Sequence, residues 1–315
     1  MRWWVPAHID GSILLGSPMV MSHSALNDVT VIVVTRDSAH CLDALSPLLA
    51  QLSHVVISDN ASTDGTADAA QQRWPSAVVL RHPLNLGFGA ANNRALATVQ
   101  TPFALLLNPD CLIEPDALVR LIETAHAMPD AGLIAPQLMA ADGTPEVNYR
   151  WPQTHWKPAG PRLAGAACVG FVCGAAMLFR MERFQALGFF DERFFLYYED
   201  DDLCLRLFRA QVPMVVDPQV QATHLSRGSV RGRSRWHNEY LRGFHHAQSK
   251  LTFTQKYRST TRAQADRRRL LGLTLLALPL RLVAFSPRLL ARMWGRWIGL
   301  LRWQPLASLG ALQHG

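Results

Sequence analysis

With 315 residues, 49% of them hydrophobic and 17% charged, the chain is globular in composition and long enough for one or two domains with a sizeable core. The net charge of +7 is unevenly spread: residues 225–303 carry seventeen Lys/Arg against Glu239 and Asp266, whereas the remainder carries fourteen against twenty-two acids. A body of −8 followed by a tail of +15 suits a tail that meets an anionic surface, and five cysteines (41, 111, 168, 173 and 204) with no CxxC exclude a zinc ribbon and indicate a reducing compartment.

Residues 1–27 contain Trp3-Trp4 and one Arg but no apolar core, so they make a poor signal peptide and are expected to be a disordered lead or an over-extended start. The pattern begins cleanly at Val29. Residues 29–35 form a buried-strand run, a helix fits 41–52, and 55–58 is a second strand ending at Asp59-Asn60-Ala61-Ser62-Thr63-Asp64-Gly65-Thr66. Ser62 or Thr63 can N-cap a helix running to Trp74. Residues 77–80 are a third strand, and Asn85-Leu86-Gly87-Phe88-Gly89 is a glycine turn into a helix through Leu96.

The chain is organised around Phe103-Ala104-Leu105-Leu106-Leu107-Asn108-Pro109-Asp110. Its apolar run reads as a buried parallel strand, which Pro109 stops at Asn108. Asp110 then lies just past the carboxyl end of the sheet, where open α/β sheets place ligands, and a carboxylate there suits a hard divalent cation holding a diphosphate. A plain strand exit capped by Asp is the other reading. A helix over 115–127 and a short strand over 133–135 follow. Strands alternating with helices imply βαβ units and a mostly parallel, Rossmann-like sheet, while Thr35-Arg36-Asp37-Ser38 after the first strand is not the GxGxxG of a dinucleotide enzyme.

Residues 142–165, rich in Pro, Trp and Gly, read as a long loop of the functional kind. The apolar strand over 171–179 is broken by Gly174, through either a ligand's close approach or a packing bulge. In Phe194-Phe195-Leu196-Tyr197-Tyr198-Glu199-Asp200-Asp201-Asp202-Leu203-Cys204-Leu205-Arg206, four acids directly follow an aromatic run. Helical spacing turns Leu203 and Leu207 inward and pairs Asp202 with Arg206, which leaves Glu199 and Asp200 free for a general base. Residues 212–216 and 220–223 look like two short strands, and His224 after them is a candidate metal ligand, with a structural His as the alternative.

These stretches, together with Phe189-Phe190-Asp191-Glu192, follow one another in an order and spacing that resembles family-2 glycosyltransferases, and within them bacterial rhamnosyltransferase-like members, over about residues 29–229. The resemblance implies a GT-A fold and inverting transfer from a nucleotide-diphospho-sugar. It implies donor binding by Thr35, Asp37, Asp59, Gly87, Asn92, Asn108 and Asp110, a divalent cation (Mg2+ or Mn2+) on Asp110 and His224, and catalysis by Glu199 and Asp200, the Asp being the usual base. Two departures stand out: Arg36-Asp37 replaces the usual Tyr-Asn, and Asn108 replaces the first Asp of a strict DxD, which predicts weaker metal binding.

The tail lies outside these motifs. Residues 270–285 are apolar but interrupted by Pro279 and Arg281, too short and too charged for a spanning helix. Arg288, Arg292, Arg296 and Arg302 interleave with Leu, Met, Ile and Trp as in an interfacial membrane helix, with a helix packed on the catalytic domain as the alternative. The expected organisation is a lead (1–27), a GT-A catalytic domain (28–229) and a basic, amphipathic helical C-terminal region (230–315). The expected protein is peripheral on the cytoplasmic face of the cell membrane and transfers sugar to a hydroxyl of a glycan or lipid-linked acceptor, with no nucleic-acid partner. A sugar nucleotidyltransferase and an inactive membrane-bound nucleotide- or glycan-binding protein are the alternatives.

Overall fold

The structure, a computed structural model, describes residues 23–151, 162–225, 235–283 and 286–306. The first half alternates strand and helix: β1 (Val29–Thr35), α1 (Leu42–Leu49), β2 (Val55–Asp59), α2 (Thr66–Arg73), β3 (Val78–Arg81), α3 (Phe88–Leu96) and β4 (Phe103–Leu107). These four strands lie parallel in the order β3-β2-β1-β4. Every residue of β2 and β4 is buried, as strands covered on both faces require. Alternate side chains serve different layers. Val31, Val33, Leu105 and Leu107 meet α1, α2 and the later α4, whereas Ile32, Ala104 and Leu106 meet α3 and the later α5.

The second half is β5 (Cys111–Leu112), α4 (Pro115–Ala127), β6 (Leu133–Met139), β7 (Tyr149–Arg150), β8 (Ala167–Val169), β9 (Phe171–Val172), β10 (Ala176–Arg180), α5 (Glu199–Arg209) and β11 (Met214–His224). Strand β10 adds antiparallel to β4, and β6, β11 and β5 follow it, with β8 on β11. The expected break at Gly174 separates β9, which pairs with β7 outside the main sheet, from β10 inside it. Sequence pattern misses three details. Residues 212–223 are not two strands but the single β11, whose register shifts between Asp217 and Gln221 around Pro218, a residue that cannot donate to the ladder. The cap of α2 is Gly65 at φ 81°, not Ser62 or Thr63. His23–Asp28 forms a 3-10 turn that buries Leu26, so these residues belong to the body; the rest of the expected lead lies outside the described residues, as do residues 152–161 of the long loop.

Three helices follow among the described residues: α6 (Arg235–Tyr257), α7 (Thr260–Val283) and α8 (Pro287–Arg302). Helices α6 and α8 touch backbone to backbone. A Cβ on Gly295 would lie 1.9 Å from the Tyr240 carbonyl oxygen, and one on Gly243 1.9 Å from that of Arg292. Leu251, Leu300 and Trp303 fill the seam, and Arg267 of α7 donates from Nε and Nη2 to the carbonyls of Leu300 and Leu301, satisfying the open end of α8. The apolar stripe of α8 is therefore divided: Leu300 and Trp303 are core, while Trp294 and Leu301 remain exposed. No helix among the described residues is long and apolar enough to cross a membrane.

Candidate active site

The parallel half supplies one wall. Thr35 and Asp59 are register partners at the ends of β1 and β2, and Thr35 Oγ1 donates to Asp59 Oδ1 at 3.0 Å. Both are buried, as is Asp37, whose backbone is left-handed at φ 49°. Asp37 Oδ1 accepts from Thr63 N (2.7 Å) and Thr63 Oγ1 (3.1 Å), and Arg36 Nη1 donates to the carbonyls of Asn60 (2.6 Å) and Ala61 (3.0 Å). The two residues that depart from the usual family pattern thus lock the β1 and β2 exit loops to each other.

Asn60 extends this wall to the glycine turn. Its side chain donates to Asn85 Oδ1 (2.8 Å) and the Gly87 carbonyl (3.1 Å) and accepts from Leu86 N (2.7 Å). Gly87 has φ 89° and ψ 172°, a region open essentially to glycine alone. The buried Asn92 amide instead donates to the Phe88 carbonyl one turn back, a bond inside α3.

The second half of the sheet, in which β10 is antiparallel to its neighbours and β6 and β11 run parallel, supplies the other wall. Asn108 leaves β4 with its N–H on the Ala175 carbonyl (2.9 Å). Asp110 is held by β5 pairing with β11, where His224 faces Cys111, and by its carbonyl accepting from Leu225 N (2.8 Å). His224 Nε2 lies 3.7 Å from Asp110 Oδ1, and His224 Nδ1 lies 3.7 Å from Glu146 Oε2. Glu146 comes from the loop after β6, and nothing in the local sequence marks it. Among the described residues no group of three or more His, Cys, Asp or Glu is arranged to hold a metal by itself. The Asp110–His224 separation still fits an ion between them with bonds of about 2.1 Å, and Mg2+ ordinarily takes one or two carboxylates with the rest from phosphate and water. Asp110 and His224 therefore fit a divalent cation shared with a diphosphate.

The four acids of α5 have four fates. Asp202, fully buried, pairs with Arg206 Nε (2.9 Å) as its i,i+4 spacing predicts, and Leu203 and Leu207 turn inward. Asp201 pairs with Arg150 Nη1 (2.6 Å), whose guanidinium lies over Phe171. Asp200 accepts from Gly174 N at 3.3 Å, across the break between β9 and β10. Burial first, and the Asp201 charge second, push the Asp200 carboxyl up to about 7, against the two N–H bonds and Arg150 that favour its ionised form. Glu199 is buried, its Oε2 has no hydrogen-bond partner among the described residues, and burial followed by the Asp200 charge holds it well above the usual carboxylate range. Gly174 links α5 to the exit of β4: it follows Cys173, donates to Asp200, and precedes Ala175, the acceptor for Asn108.

The site thus joins the buried Thr35 and Asp59 at the ends of β1 and β2 with Asp110 and His224 from the β5–β11 pair and Asp200 from α5. The profile described as "Glycosyl transferase family 2" matches residues 30–188. The chain belongs to that family. Asp200 and His224 lie beyond the matched segment. The N-acetylglucosaminyl-diphospho-decaprenol L-rhamnosyltransferase of Mycobacterium tuberculosis is 32% identical over 201 residues, covering 54% of this chain and 66% of that protein. Rhamnosyltransferase WbbL of Escherichia coli K12 is 27% identical over 176 residues, covering 48% of this chain and 67% of its own length. A mannosyltransferase from Pyrobaculum calidifontis, solved with GDP-Man and Mn2+, superposes with a TM-score of 0.51 at 16% identity over 87% of this chain and 86% of that one. The shared fold is GT-A.

Proposed function

We propose that this glycosyltransferase moves a sugar, rhamnose being the first candidate, from a nucleotide-diphospho-sugar to a hydroxyl of a glycan or lipid-linked acceptor, with inversion at the anomeric carbon. The observation that carries this reading is the bridge at Gly174, which ties the base candidate Asp200 to the strand exit that presents Asp110. Thr35, Asp37, Asp59 and the Gly87 turn cradle the nucleotide side of the donor. Asp110 and His224 would hold the cation, which when bound offsets the charge developing on the leaving diphosphate. Asp200 takes the proton of the acceptor hydroxyl as its oxygen bonds to the anomeric carbon and the bond to the diphosphate breaks. One displacement inverts the configuration, and no protein nucleophile is required. The rhamnosyl activity named for two relatives supports the sugar class.

The same reading seats the protein on the cytoplasmic face of a membrane, through α7 more than α8. Leu273, Leu275 and Leu276 of α7 are 48%, 57% and 72% exposed, with Arg268, Arg269 and Arg281 exposed at either end. Arginines of α8 are partly engaged: Arg292 Nε lies 2.8 Å from Glu239 Oε2. Exposed leucines bracketed by arginines suit an anionic bilayer surface.

The deciding experiment is a panel of GDP-, UDP- and dTDP-linked sugars assayed for nucleoside diphosphate release with Mg2+ or Mn2+. Release that EDTA abolishes and that Asp110→Asn removes from a folded protein is expected. Full activity in EDTA would eliminate the metal role, and release of inorganic diphosphate would mean nucleotidyl transfer.

A further inference from the structure

Tyr197 and Tyr198 are consecutive non-glycine residues in the left-handed region, at φ 70° and 68°, immediately before Glu199 and Asp200. L side chains disfavour that region, and pairs of such residues persist only where the surroundings fix them. Tyr198 also stands at the N-cap of α5 without a side-chain cap bond, and within the first turn Asp200 Oδ1 accepts from Asp201 N at 2.9 Å. What fixes the turn lies elsewhere in the chain.

Helix α6 grips both ends of this segment. Lys256 Nζ lies 2.6 Å from Asp191 Oδ2, upstream of the turn, and pairs with Asp202 Oδ1, downstream of it. Tyr257 donates to the same Asp202 oxygen at 2.7 Å. Between those points, Ser249 Oγ donates to the Leu196 carbonyl at 2.9 Å, and His246 meets the rings of both Tyr197 and Tyr198. Ring contacts add to these bonds, with Phe195 stacked on His245 and both Phe194 and Tyr198 against Phe253, beside a half-open pocket of about 130 Å³ lined by Arg193, Phe195, His245, Ser249 and Trp303 among others.

We infer that α6, which lies outside the matched family segment, belongs to the catalytic apparatus, with Lys256 as the positioning residue that, aided by Ser249 and Tyr257, holds the left-handed turn from which Asp200 projects. Lys256 acts through Asp191 and Asp202, which fix the two ends of a segment whose middle is strained. This rests on the reading of Asp200 as the base, but the geometry of the clamp is testable without any substrate.

The test compares Lys256→Met, Lys256→Arg and Ser249→Ala by amide hydrogen exchange and by nucleoside diphosphate release from whichever sugar nucleotide of the panel the wild type turns over. Lys256→Met keeps the unbranched apolar stem without the ammonium group and leaves Asp202 with Arg206 and Tyr257. Amides of residues 197–203 should exchange at least about tenfold faster while β1 and β4 stay protected, because only the clamped segment is loosened. Turnover should fall at least about tenfold with the donor KM within about threefold, the signature of a group needed in the transition state and not for donor binding. Lys256→Arg should restore most of both, because it restores the double ion pair. Should Lys256→Met fail to fold, Ser249→Ala, which removes one hydrogen bond, should show the same pattern in weaker form. Wild-type exchange and wild-type turnover in a folded Lys256→Met or, failing that, in Ser249→Ala overturn the inference, as does an Arg variant no better than Met. If no sugar nucleotide is turned over, the base assignment fails while the exchange arm still decides the clamp.

Discussion

Replacing Gly87 by alanine should damage stability and chemistry together, and the structure sets the size of the effect. At φ 89° and ψ 172°, an alanine costs about 1–3 kcal/mol in backbone conformation alone. Its Cβ would lie 2.4 Å from the Phe195 carbonyl oxygen, which is the acceptor for Phe88 N at 3.0 Å. Backbone cannot swing aside as a side chain can, so that bond opens, at a further cost of about 1 kcal/mol. The sum, about 2–4 kcal/mol, corresponds to a fall in Tm on the order of 3–6 °C for a chain of this size. Gly65→Ala is the matched control: its φ is 81°, but nothing lies within 4 Å of the added Cβ, so only the left-handed cost of about 1 kcal/mol applies. Because Phe195 sits two residues before the strained tyrosines, Gly87→Ala should also lower donor turnover at least about tenfold, and Gly65→Ala should not. Thermal unfolding and nucleoside diphosphate release on the two variants decide it. Equal Tm shifts would mean that the contact with Phe195 carries no weight, and the reasoning fails.

Asp200→Asn should lower turnover by about 10²–10⁴-fold with donor KM nearly unchanged, as expected on removing a general base. If Glu199→Gln gives that pattern and Asp200→Asn does not, the base is the neighbouring residue. Leu276→Glu, on a leucine of α7 that is 72% exposed, should weaken co-sedimentation with anionic vesicles about tenfold or more while leaving donor release intact. Binding of the wild type that disappears entirely at high salt would refute an apolar contribution from α7.

The parallel half of the fold was legible because its signal is local. Runs such as Val29–Thr35 and Phe103–Leu107 can only be strands buried on both faces, and Pro109 marks where the second must end. The i,i+4 pairing of Asp202 with Arg206 could likewise be read from spacing alone. What spacing cannot convey is which partner a side chain finds across the fold. Glu146 reaches His224 from 78 positions away, and Lys256 reaches Asp202 from 54 positions away, and neither stands in a recognisable motif. For the same reason residues 230–315 would carry no motif for the role inferred for α6, since positioning a turn needs only a helix with the right three or four side chains. The continuous β11 was missed for a different reason: Pro218 is a breaker in a regular strand but is accommodated where the register shifts.

The buried acids should make turnover and stability respond to pH in opposite directions. Burial first, and Asp201 second, raise the Asp200 carboxyl to about 7. A base must be ionised, so donor turnover should fall as pH drops through about 7. In the unfolded chain an Asp titrates near 4, so between about 4 and 7 the native state holds a proton that the unfolded state does not. Raising pH through that window therefore removes stability. Asp191 behaves otherwise: burial alone would raise it, but Arg193 and Lys256 override this and hold it far below the usual range, so its stabilising contribution is complete above about pH 4 and does not vary in the window. His245 and His246, lowered chiefly by burial, add an opposing slope, since a depressed His loses stability as pH falls through its unfolded value. The comparison of wild type with Asp200→Asn cancels those histidines. Between about pH 5 and pH 8 the wild type should lose more stability, or gain less, than the variant, by the share that ionising Asp200 costs. Identical slopes in the two proteins, or wild-type turnover that stays level down to about pH 5, would mean that Asp200 is already ionised in the native state, and its poise as a base near neutrality would be lost.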